Sequence, residues 1–357
     1  MRNFRHIFHN FRGDEVGKMH GNISIFIPHM GCPNQCSFCN QRTISGERSA
    51  PSAEQVRKVL CEARRVGCER GSLEDTQIAF FGGSFTAIDR GYMISLLEAA
   101  GEFLGKSSSE GFSGIRISTR PDCIDEEILG ILKSYGVTAI ELGAQSMSDD
   151  VLAANGRGHS SGDVFAACEM IRSFGFELGV QMMVGLYKSR REDEIFTCEQ
   201  LIKCCPDTVR IYPVAVLRGT ELERLYLSGE YVLYPFEKCV EICADISGRF
   251  ARAGVRVIRM GLHAEDGVRE NAVAGFYHPA FGEIVASFKV REIIRKNLRE
   301  GVNICEAHSS FMSALSGHKK CNRKFFEGLL PGRVVFRCND DVTRGFIAVN
   351  GVSFEVV

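Results

Sequence analysis

The run Cys32-Pro33-Asn34-Gln35-Cys36-Ser37-Phe38-Cys39 sets three thiols at C-x3-C-x2-C spacing. Thiolates this close can hold three metal positions of one cluster from a single loop. Iron–sulfur clusters normally take four cysteines, so a 4Fe-4S cluster held by Cys32, Cys36 and Cys39 leaves one iron open to a small molecule. An open iron is what S-adenosylmethionine (SAM) needs to chelate through its amino and carboxylate groups. An electron passed to its sulfonium then breaks a C–S bond and gives a 5'-deoxyadenosyl radical, chemistry that belongs to the cofactor. Phe38, just before the last thiol, could cover the cluster or meet the adenine. Structural zinc is the alternative. Zinc prefers four ligands, usually as two C-x2-C-like pairs, and no second pair is evident, since Cys61 and Cys68 stand seven apart on an expected helix.

The elements around the loop give it a position. Ile23 to Ile27 is a short apolar run that reads as a strand, with the cysteines just beyond it. Ser52 and Gln55 form a capping-box pattern, and Val56, Val59, Leu60, Ala63 and Val66 give one apolar helix face. Strands are expected at Gln77–Phe81, Ile115–Ser118, Val137–Leu142, Leu178–Val184, Thr208–Val214 and Val255–Met260. Helices are expected between them at Tyr92–Leu104, Glu126–Tyr135, Gly162–Phe174, Glu192–Cys204, Glu221–Leu227 and Glu237–Ala253. Strand then helix, repeated about six times, predicts an α/β fold with a parallel sheet and outer helices. Right-handed crossovers would let it curl into a full or partial barrel, and an open doubly wound sheet fits nearly as well. Gly267 to Gly282 reads as a polar junction. Helices at Ile284–Leu298 and around Ser309–Leu315 follow, then strands at Arg333–Arg337, Phe346–Val349 and Val352–Val356. The expected organisation is an N-terminal segment (1–20), a core barrel (21–260) and a small C-terminal α+β domain (261–357).

Further candidate residues fall at the C-terminal ends of these strands, where ligands of parallel α/β sheets and barrels collect. Phe80-Phe81-Gly82-Gly83-Ser84-Phe85-Thr86 follows the second strand, and its glycines let backbone approach a ligand or simply make a tight turn. Ser118-Thr119-Arg120-Pro121-Asp122 ends the third. Glu141-Leu142-Gly143-Ala144-Gln145-Ser146 ends the fourth, with Arg157-Gly158-His159 beyond it. Arg157 could instead make a surface ion pair, and His159 a local cap. Gln181 and Gly185 lie on the fifth.

Bulk composition excludes several classes. The chain has 357 residues, 45% hydrophobic and 24% charged, with net charge −1. This is ordinary globular composition, and no overall field draws it to nucleic acid. No apolar run approaches the roughly 20 residues of a membrane span. The N-terminus is too polar for a secretory signal; its arginines admit a transit peptide, but Asp14 and Glu15 interrupt them. A cytoplasmic protein is expected. Fifteen cysteines without a secretory signal do not read as a disulfide scaffold. Cys61, Cys168, Cys239 and Cys243 read as small buried hydrophobes.

The run IPHMGCPNQCSFCNQ resembles the cluster loop of the radical SAM superfamily. The rest of the chain, from about Ile23 onward, resembles the branch containing the Elongator catalytic subunit and the oxygen-independent coproporphyrinogen oxidases. That resemblance implies a partial (β/α)6 barrel with the branch's small C-terminal domain, a 4Fe-4S cluster, SAM, and an electron donor such as flavodoxin or ferredoxin. It implies that Gly82, Gly83, Ser84 and Thr86 match the glycine motif gripping the SAM amino group. Gln145 matches a SAM-contacting Gln, Arg157 an Arg near the SAM carboxylate, and Gln181 and Gly185 a SAM-facing stretch. Ser118 stands where relatives often carry a SAM-contacting Glu and could bond a ribose hydroxyl. Arg210-Ile211-Tyr212-Pro213, Arg218-Gly219-Thr220 and Tyr277-His278-Pro279-Ala280-Phe281 resemble Elongator-type segments, so Tyr212, Tyr277 and His278 could face substrate or simply pack. The resemblance stops short of an acetyltransferase domain, so acetyl-CoA-dependent chemistry is not expected. The relatives modify the wobble uridine of tRNA, which makes tRNA the first substrate expectation. Basic clusters that could serve it are Arg2, Arg5 and Arg12; Lys188, Arg190 and Arg191; Arg291, Arg295, Lys296 and Arg299; and Lys319, Lys320, Arg323 and Lys324. Each could equally be a solvated face. The alternatives are a radical reaction on a small molecule or porphyrin, or a non-catalytic iron–sulfur or haem carrier.

Overall fold

The expected strands pair with one another in chain order. The computed structural model describes residues 21–27, 32, 36–40, 50–70, 73, 76–105, 111–262 and 266–356. The expected N-terminal segment, with Arg2, Arg5 and Arg12, lies outside them. Among the described residues, seven strands form one sheet: β1 (Gly21–Ile27), β2 (Thr76–Gly82), β3 (Ile115–Thr119), β4 (Val137–Gln145), β5 (Glu177–Val184), β6 (Thr208–Pro213) and, after a short β7 (Ala215–Leu217), β8 (Arg256–Met260). Their order is β1-β2-β3-β4-β5-β6-β8, and every neighbouring pair is parallel. The order never reverses, so there is no switch point of the doubly wound kind. Crossovers of one hand then put their helices on one face. The sheet is an open partial barrel with helices outside.

Those helices are α1 (Ala53–Arg70), α2 (Arg90–Gly101), α3 (Glu126–Ser134), α4 (Asp149–Ala154), α5 (Ser161–Ser173), α6 (Arg191–Lys203), α7 (Glu221–Leu227) and α8 (Phe236–Arg252). Their starts follow side-chain capping. Gln55 N–H donates to Ser52 Oγ at 3.2 Å and Ser52 N–H to Gln55 Oε1 at 2.7 Å, the expected capping box. Ser160 and Asp163 make another at α5, so the cap there is Ser160 and not His159. On α1, Val56, Leu60 and Ala63 are buried as expected, but Cys61 is exposed. One residue past Leu60 is about 100° further round the helix, which carries Cys61 off the apolar face. Cys168, Cys239 and Cys243 are buried as expected, and no disulfide links the described cysteines.

The two faces of the sheet differ in chemistry. Ile23, Ile25, Ile27, Ile78, Phe80, Ile115, Ile117, Ile140, Leu142, Leu178, Val180, Val209 and Ile211 belong to the main core with the helices. The alternate residues carry polarity inward: Gln77, Arg116, Ser118, Glu141, Gln181, Arg210 and Tyr212. In-register pairs such as Ser118 with Glu141 and Gln181 with Arg210 set them on one face. Parallel strands covered on both sides usually read as continuous apolar runs. Here the alternation marks a concave face that is not filled with hydrocarbon.

The Gly267–Gly282 stretch is more ordered than a junction. It holds α9 (Asp266–Asn271) and β9 (Ala272–Gly275), which pairs antiparallel with β7. After α10 (Phe281–Lys296) come β10 (Asn303–Ala307), α11 (Met312–Ser316), α12 (Cys321–Leu329), β11 (Val334–Cys338), β12 (Phe346–Val349) and β13 (Val352–Glu355). Their four-stranded sheet, ordered β11-β10-β12-β13, has a separate core of Val290, Ile294, Cys305, Leu315, Phe326, Ile347 and Val349. The central strand β10 was not expected, because its inward residues Asn303, Cys305 and Ala307 are weak strand formers.

A buried ion network ties the concave face together. Arg210 grips Glu141 with Nε–Oε2 at 2.6 Å and Nη2–Oε1 at 2.7 Å. Gln181 Nε2 donates to Glu141 Oε2 at 3.0 Å. Arg116 reaches Glu177 at 2.9 Å and Gln77 at 2.8 Å. Burial alone would raise the Glu141 carboxyl, but Arg210 and Arg116 hold it below its ordinary range. Replacing Glu141 by Leu should cost about 3–5 kcal/mol in urea unfolding, because Arg210 is left buried without its carboxylate and Arg116 keeps only Glu177. A loss under 1 kcal/mol would show that the network adds nothing to folding.

Candidate active site

Beyond β1, three groups anchor the cysteine loop. Asn155, at the end of α4, is fully buried. Its Oδ1 accepts Ser37 Oγ–H at 2.7 Å and its carbonyl accepts Ser37 N–H at 3.0 Å. Its Nδ2 donates to the carbonyls of Val151 and Tyr187 at 2.8 and 2.9 Å. On the other side, Leu222 N–H donates to Ser37 O at 2.8 Å and Asn40 Nδ2 to Arg218 O at 3.0 Å. Asn155 was not singled out in the sequence, where Asn-Gly reads as a turn. Cys36 is buried, Cys39 half-buried and Cys32 exposed. Among the described residues no three His, Cys, Asp or Glu side chains are gathered around a point that would hold one ion. A cluster spreads its thiolates over several metals and does not need that convergence.

The glycine loop sits directly beside β1. Gly83 N–H donates to Ile27 O at 3.1 Å. Gly82 has φ +122°, and a Cβ there would lie 2.4 Å from Ile27 O. The approach that demands glycine is therefore to the neighbouring strand. Ser84 and Thr86 are buried and chained through hydroxyls: Ser84 Oγ to Thr119 Oγ1 at 2.7 Å, Thr86 Oγ1 to Thr119 Oγ1 at 2.6 Å, and Thr86 Oγ1–H to Cys123 O at 2.6 Å. These side chains lock the loop to the end of β3. The Ser84 backbone N–H is directed at the Cys32 thiol.

The fourth strand ends in strain. Gln145 is buried with φ +68°, unusual for a residue with a side chain, and a register shift precedes it. Arg157 is buried; it donates from Nη1 to Cys36 Sγ at 3.1 Å and from Nη2 to Gly143 O at 2.6 Å. It makes no surface ion pair. Arg120, also buried, makes a bidentate pair with Asp122 at 2.8 Å and donates to Arg157 O. His159 Nε2 faces Ala144 O at 3.3 Å. Burial, with Arg157 and Arg120 close by, pushes the His159 pKa down to about 4, so the ring is neutral at pH 7. Arg120 had no assigned role in the sequence and His159 only that of a local cap, although both lie inside quoted motifs.

Other expected residues turn inward. Gln181 is engaged by Glu141. Ser118 is half-buried beside Glu141 in register. Phe38 packs against the main core. Gly185, with φ +87°, is pinned from both sides: its N–H donates to Glu194 Oε1 at 2.5 Å, and its carbonyl accepts the Tyr231 hydroxyl. Tyr212 lies on the concave face beside Arg210. Tyr277 packs near Ala215, Leu217 and Val268, and His278 meets His318 edge to face, with ring centroids 5.2 Å apart.

Among the described residues, four buried side-chain atoms here have no hydrogen-bond partner: Arg120 Nη1, Gln145 Oε1, Arg157 Nε and His159 Nδ1. Buried polar groups are nearly always satisfied, so a cluster of exceptions marks a place for a polar ligand. The guanidiniums want an anion and the amide oxygen wants a donor. An amino-acid moiety, carboxylate and ammonium together, fits that set.

Two family models match the chain. The radical SAM superfamily matches residues 26–198 and the Radical_SAM C-terminal domain residues 206–289. Together they span well over half of the chain, which belongs to the radical SAM superfamily and is a radical SAM enzyme. Membership implies a 4Fe-4S cluster and SAM, and the thiols and unsatisfied atoms just described fit both. A tRNA uridine(34) acetyltransferase of Dehalococcoides mccartyi is 25% identical over 252 residues, covering 63% of this chain and 55% of that protein. Elongator complex protein 3 of Mus musculus is 31% identical over 215 residues, covering 54% of this chain and 38% of that protein. The chain thus spans only about half, or less, of these relatives. Among solved structures, the Elp3 of the archaeon Methanocaldococcus infernus shares the fold, with TM-score 0.61 and 23% identity over 78% of this chain and 63% of that one. No helix among the described residues is long and apolar enough to cross a membrane.

Asn155→Ala should cost about 2–3 kcal/mol, since it takes the side-chain partner from the buried Ser37 hydroxyl and from the Val151 and Tyr187 carbonyls. It should also lower the iron retained per chain after anaerobic reconstitution; full stability and full iron would show that the loop is held otherwise. A second expectation concerns pH. Burial pushes the Glu194 carboxyl up to about 7. A raised acid stabilises the fold when protonated, so that contribution is present below the ordinary carboxylate range and lost as pH rises through 7. Glu194→Gln should therefore gain stability relative to the parent between pH 5 and pH 8, by up to about 3 kcal/mol. A parallel pH dependence in both proteins would remove this assignment.

Proposed function

We propose that Cys32, Cys36 and Cys39 hold the cluster and that the chain uses SAM for radical modification of a tRNA, with uridine 34 the first candidate. When bound, the cluster supplies reductive cleavage of SAM to a 5'-deoxyadenosyl radical. The chain's own part is to hold and orient. Arg157 and Arg120 offer their unsatisfied N–H groups to the SAM carboxylate. Gln145 offers its carbonyl oxygen to the amino group, and neutral His159 adds one ring nitrogen. Gly82, Gly83 and Ser84 present backbone next to the cysteine loop, with the Ser84 and Thr86 hydroxyls setting the loop's path. Ser118, Gln181, Gly185 and Phe38 border the same space as second-rank contacts. The observation that carries the reading is the set of four unpartnered buried polar atoms beside Cys36. The tRNA part rests on the names of the similar proteins, tRNA uridine(34) acetyltransferase among them. An electron donor of the flavodoxin or ferredoxin kind would serve the reaction in the cell.

Anaerobically reconstituted protein with dithionite and SAM should yield 5'-deoxyadenosine. Cys36→Ala should abolish that product, and Cys61→Ala, on the exposed side of α1, should retain it. Equal loss in both would sink the ligand assignment. Nucleoside profiling of tRNA from a strain lacking the gene should show one modified uridine missing; an unchanged profile would remove the tRNA substrate.

A further inference from the structure

Residues 281–357 carry twelve Lys and Arg against eight Asp and Glu, whereas the whole chain is at −1. The C-terminal segment is thus at +4 and the preceding 280 residues at −5. The excess is gathered on one face. Lys319, Lys320, Arg323 and Lys324 are exposed along the entry and first turn of α12. None of the four has an ion-pair partner among the described residues, and α12 has neither a side-chain cap nor an acid in its first turn. Cations at a helix N-terminus oppose the helix dipole, so this arrangement costs stability within the chain alone. Lys319 and Lys320 also take left-handed backbone, with φ +51° and +62°.

Aromatic rings border the same cations. The Arg291 guanidinium on α10 lies over Phe288 at 5.1 Å and over Phe325 of α12 at 5.0 Å. Arg323 lies over Phe336 at 5.3 Å, and Phe325 is itself exposed. Rings that fix a guanidinium plane leave its N–H edges free for phosphate oxygens. The acids nearby are few and partly engaged. Glu283 faces His318 at 3.6 Å, Glu292 is paired with Arg295 at 2.7 Å, and Glu327 lies one turn along α12 from Arg323. The face is also rigid. Fully buried Asn322 donates to Ser287 O at 2.9 Å and to the carbonyls of Ala314 and Leu315 at 3.3 Å, and His318 N–H donates to Ser287 Oγ at 3.0 Å.

The patch adjoins the barrel rim. β7 leaves the C-terminal end of β6, and β9 returns beside it, with Phe276 N–H on Val214 O at 2.8 Å. His278 follows at once and meets His318, the residue before the two lysines, edge to face. A polyanion lying on Lys319, Lys320, Arg323, Lys324 and Arg291 would therefore run toward the strand ends where the site lies.

We propose that this basic and aromatic face of the C-terminal segment docks the phosphate backbone of the RNA substrate, at a distance from the reacting nucleotide. The inference rests on the RNA reading above. Binding of fluorescently labelled tRNA to the full, reconstituted protein is measured across a salt series. Lys319→Glu/Lys320→Glu/Arg323→Glu should weaken binding at least tenfold at low salt and flatten the log–log salt slope by about 2, the share of three phosphates. A matched reversal on the outer helices, Lys58→Glu/Lys203→Glu/Lys238→Glu, should stay within twofold of wild type. Equal binding by wild type and the patch variant, or equal loss in both variants, overturns the docking face while leaving the RNA reading intact. Wild-type protein with no salt-dependent tRNA binding overturns the reading itself and the face with it. Photocrosslinking of wild-type protein to 4-thiouridine-substituted tRNA needs no variant to fold. It should recover peptides spanning 318–325, and crosslinks confined to other segments count against the proposal.

Discussion

The cysteine run beyond β1 must be held at the mouth of an open sheet, and the buried amide of Asn155 is the central means. An open barrel has two free edges, here β1 and β8. Nothing in its strand pairing fixes the loop beyond β1 relative to the units on the far side. The Asn155 side chain and carbonyl take Ser37 from the β4 side, and Leu222 takes the Ser37 carbonyl from the unit after β6. The cysteine loop therefore spans the mouth from the first unit to the sixth. Arg157, two residues after Asn155, reaches Cys36 because that anchor has brought the two together.

The same logic governs the concave face. Charges there are expensive to bury, and the pairs that satisfy them seldom exceed the cost of desolvation. Glu141 is served by Arg210, Arg116 and Gln181, and room is made for it by Gly179, where a Cβ would come within 3.0 Å of the Glu141 side chain. A stack of Leu and Val would fill this volume at lower cost. What the network provides is a polar wall that stays fixed below the strand ends, so that a ligand above it meets a surface that does not collapse inward. Gln181, expected to face the cofactor, is also part of this wall.

Much of the fold was legible because its signals are local. Alternating strand and helix patterns, the Ser52–Gln55 box and Gly136 after α3 each specify an element from a few neighbours. The choice between barrel and doubly wound sheet was not legible, because it depends on strand order, which no local pattern records. β10 escaped notice because Asn303, a weak strand former, is held inside by side-chain hydrogen bonds with Arg299 and, from far along the chain, Asn350. α12 was read only as a cluster of cations, since its first turn carries the reverse of the usual helix-start signals. In the site, Cys32, Cys36, Cys39 and Arg157 stood out by type and spacing. Asn155 and Arg120 did not, since each acts through a partner more than 30 residues away in sequence; Glu194 did not, since an acid in the first turn of a helix reads as an ordinary helix-start residue.

The unsatisfied atoms beside Cys36 carry a further consequence for how the site was built. Arg120, Gln145, Arg157 and His159 come from the ends of two adjacent strands and the turn beyond α4, so three separate backbone paths converge on one small volume. Each arrives at a cost. Gln145 sits in left-handed backbone, and two guanidiniums and an imidazole are buried with one nitrogen apiece unpartnered. Costs of this kind add to several kcal/mol, a large part of the stability of an ordinary domain. They are not offset among the described residues, because the carboxylate that could satisfy Arg120, Asp122, already accepts two of its bonds and leaves Nη1 pointing elsewhere. A mixed set of donors and one acceptor also rules out a simple inorganic anion as the best partner, since Gln145 Oε1 would face it with like polarity. The set is matched only by a ligand that brings negative charge and an N–H donor on one short frame, next to a thiol-bearing loop.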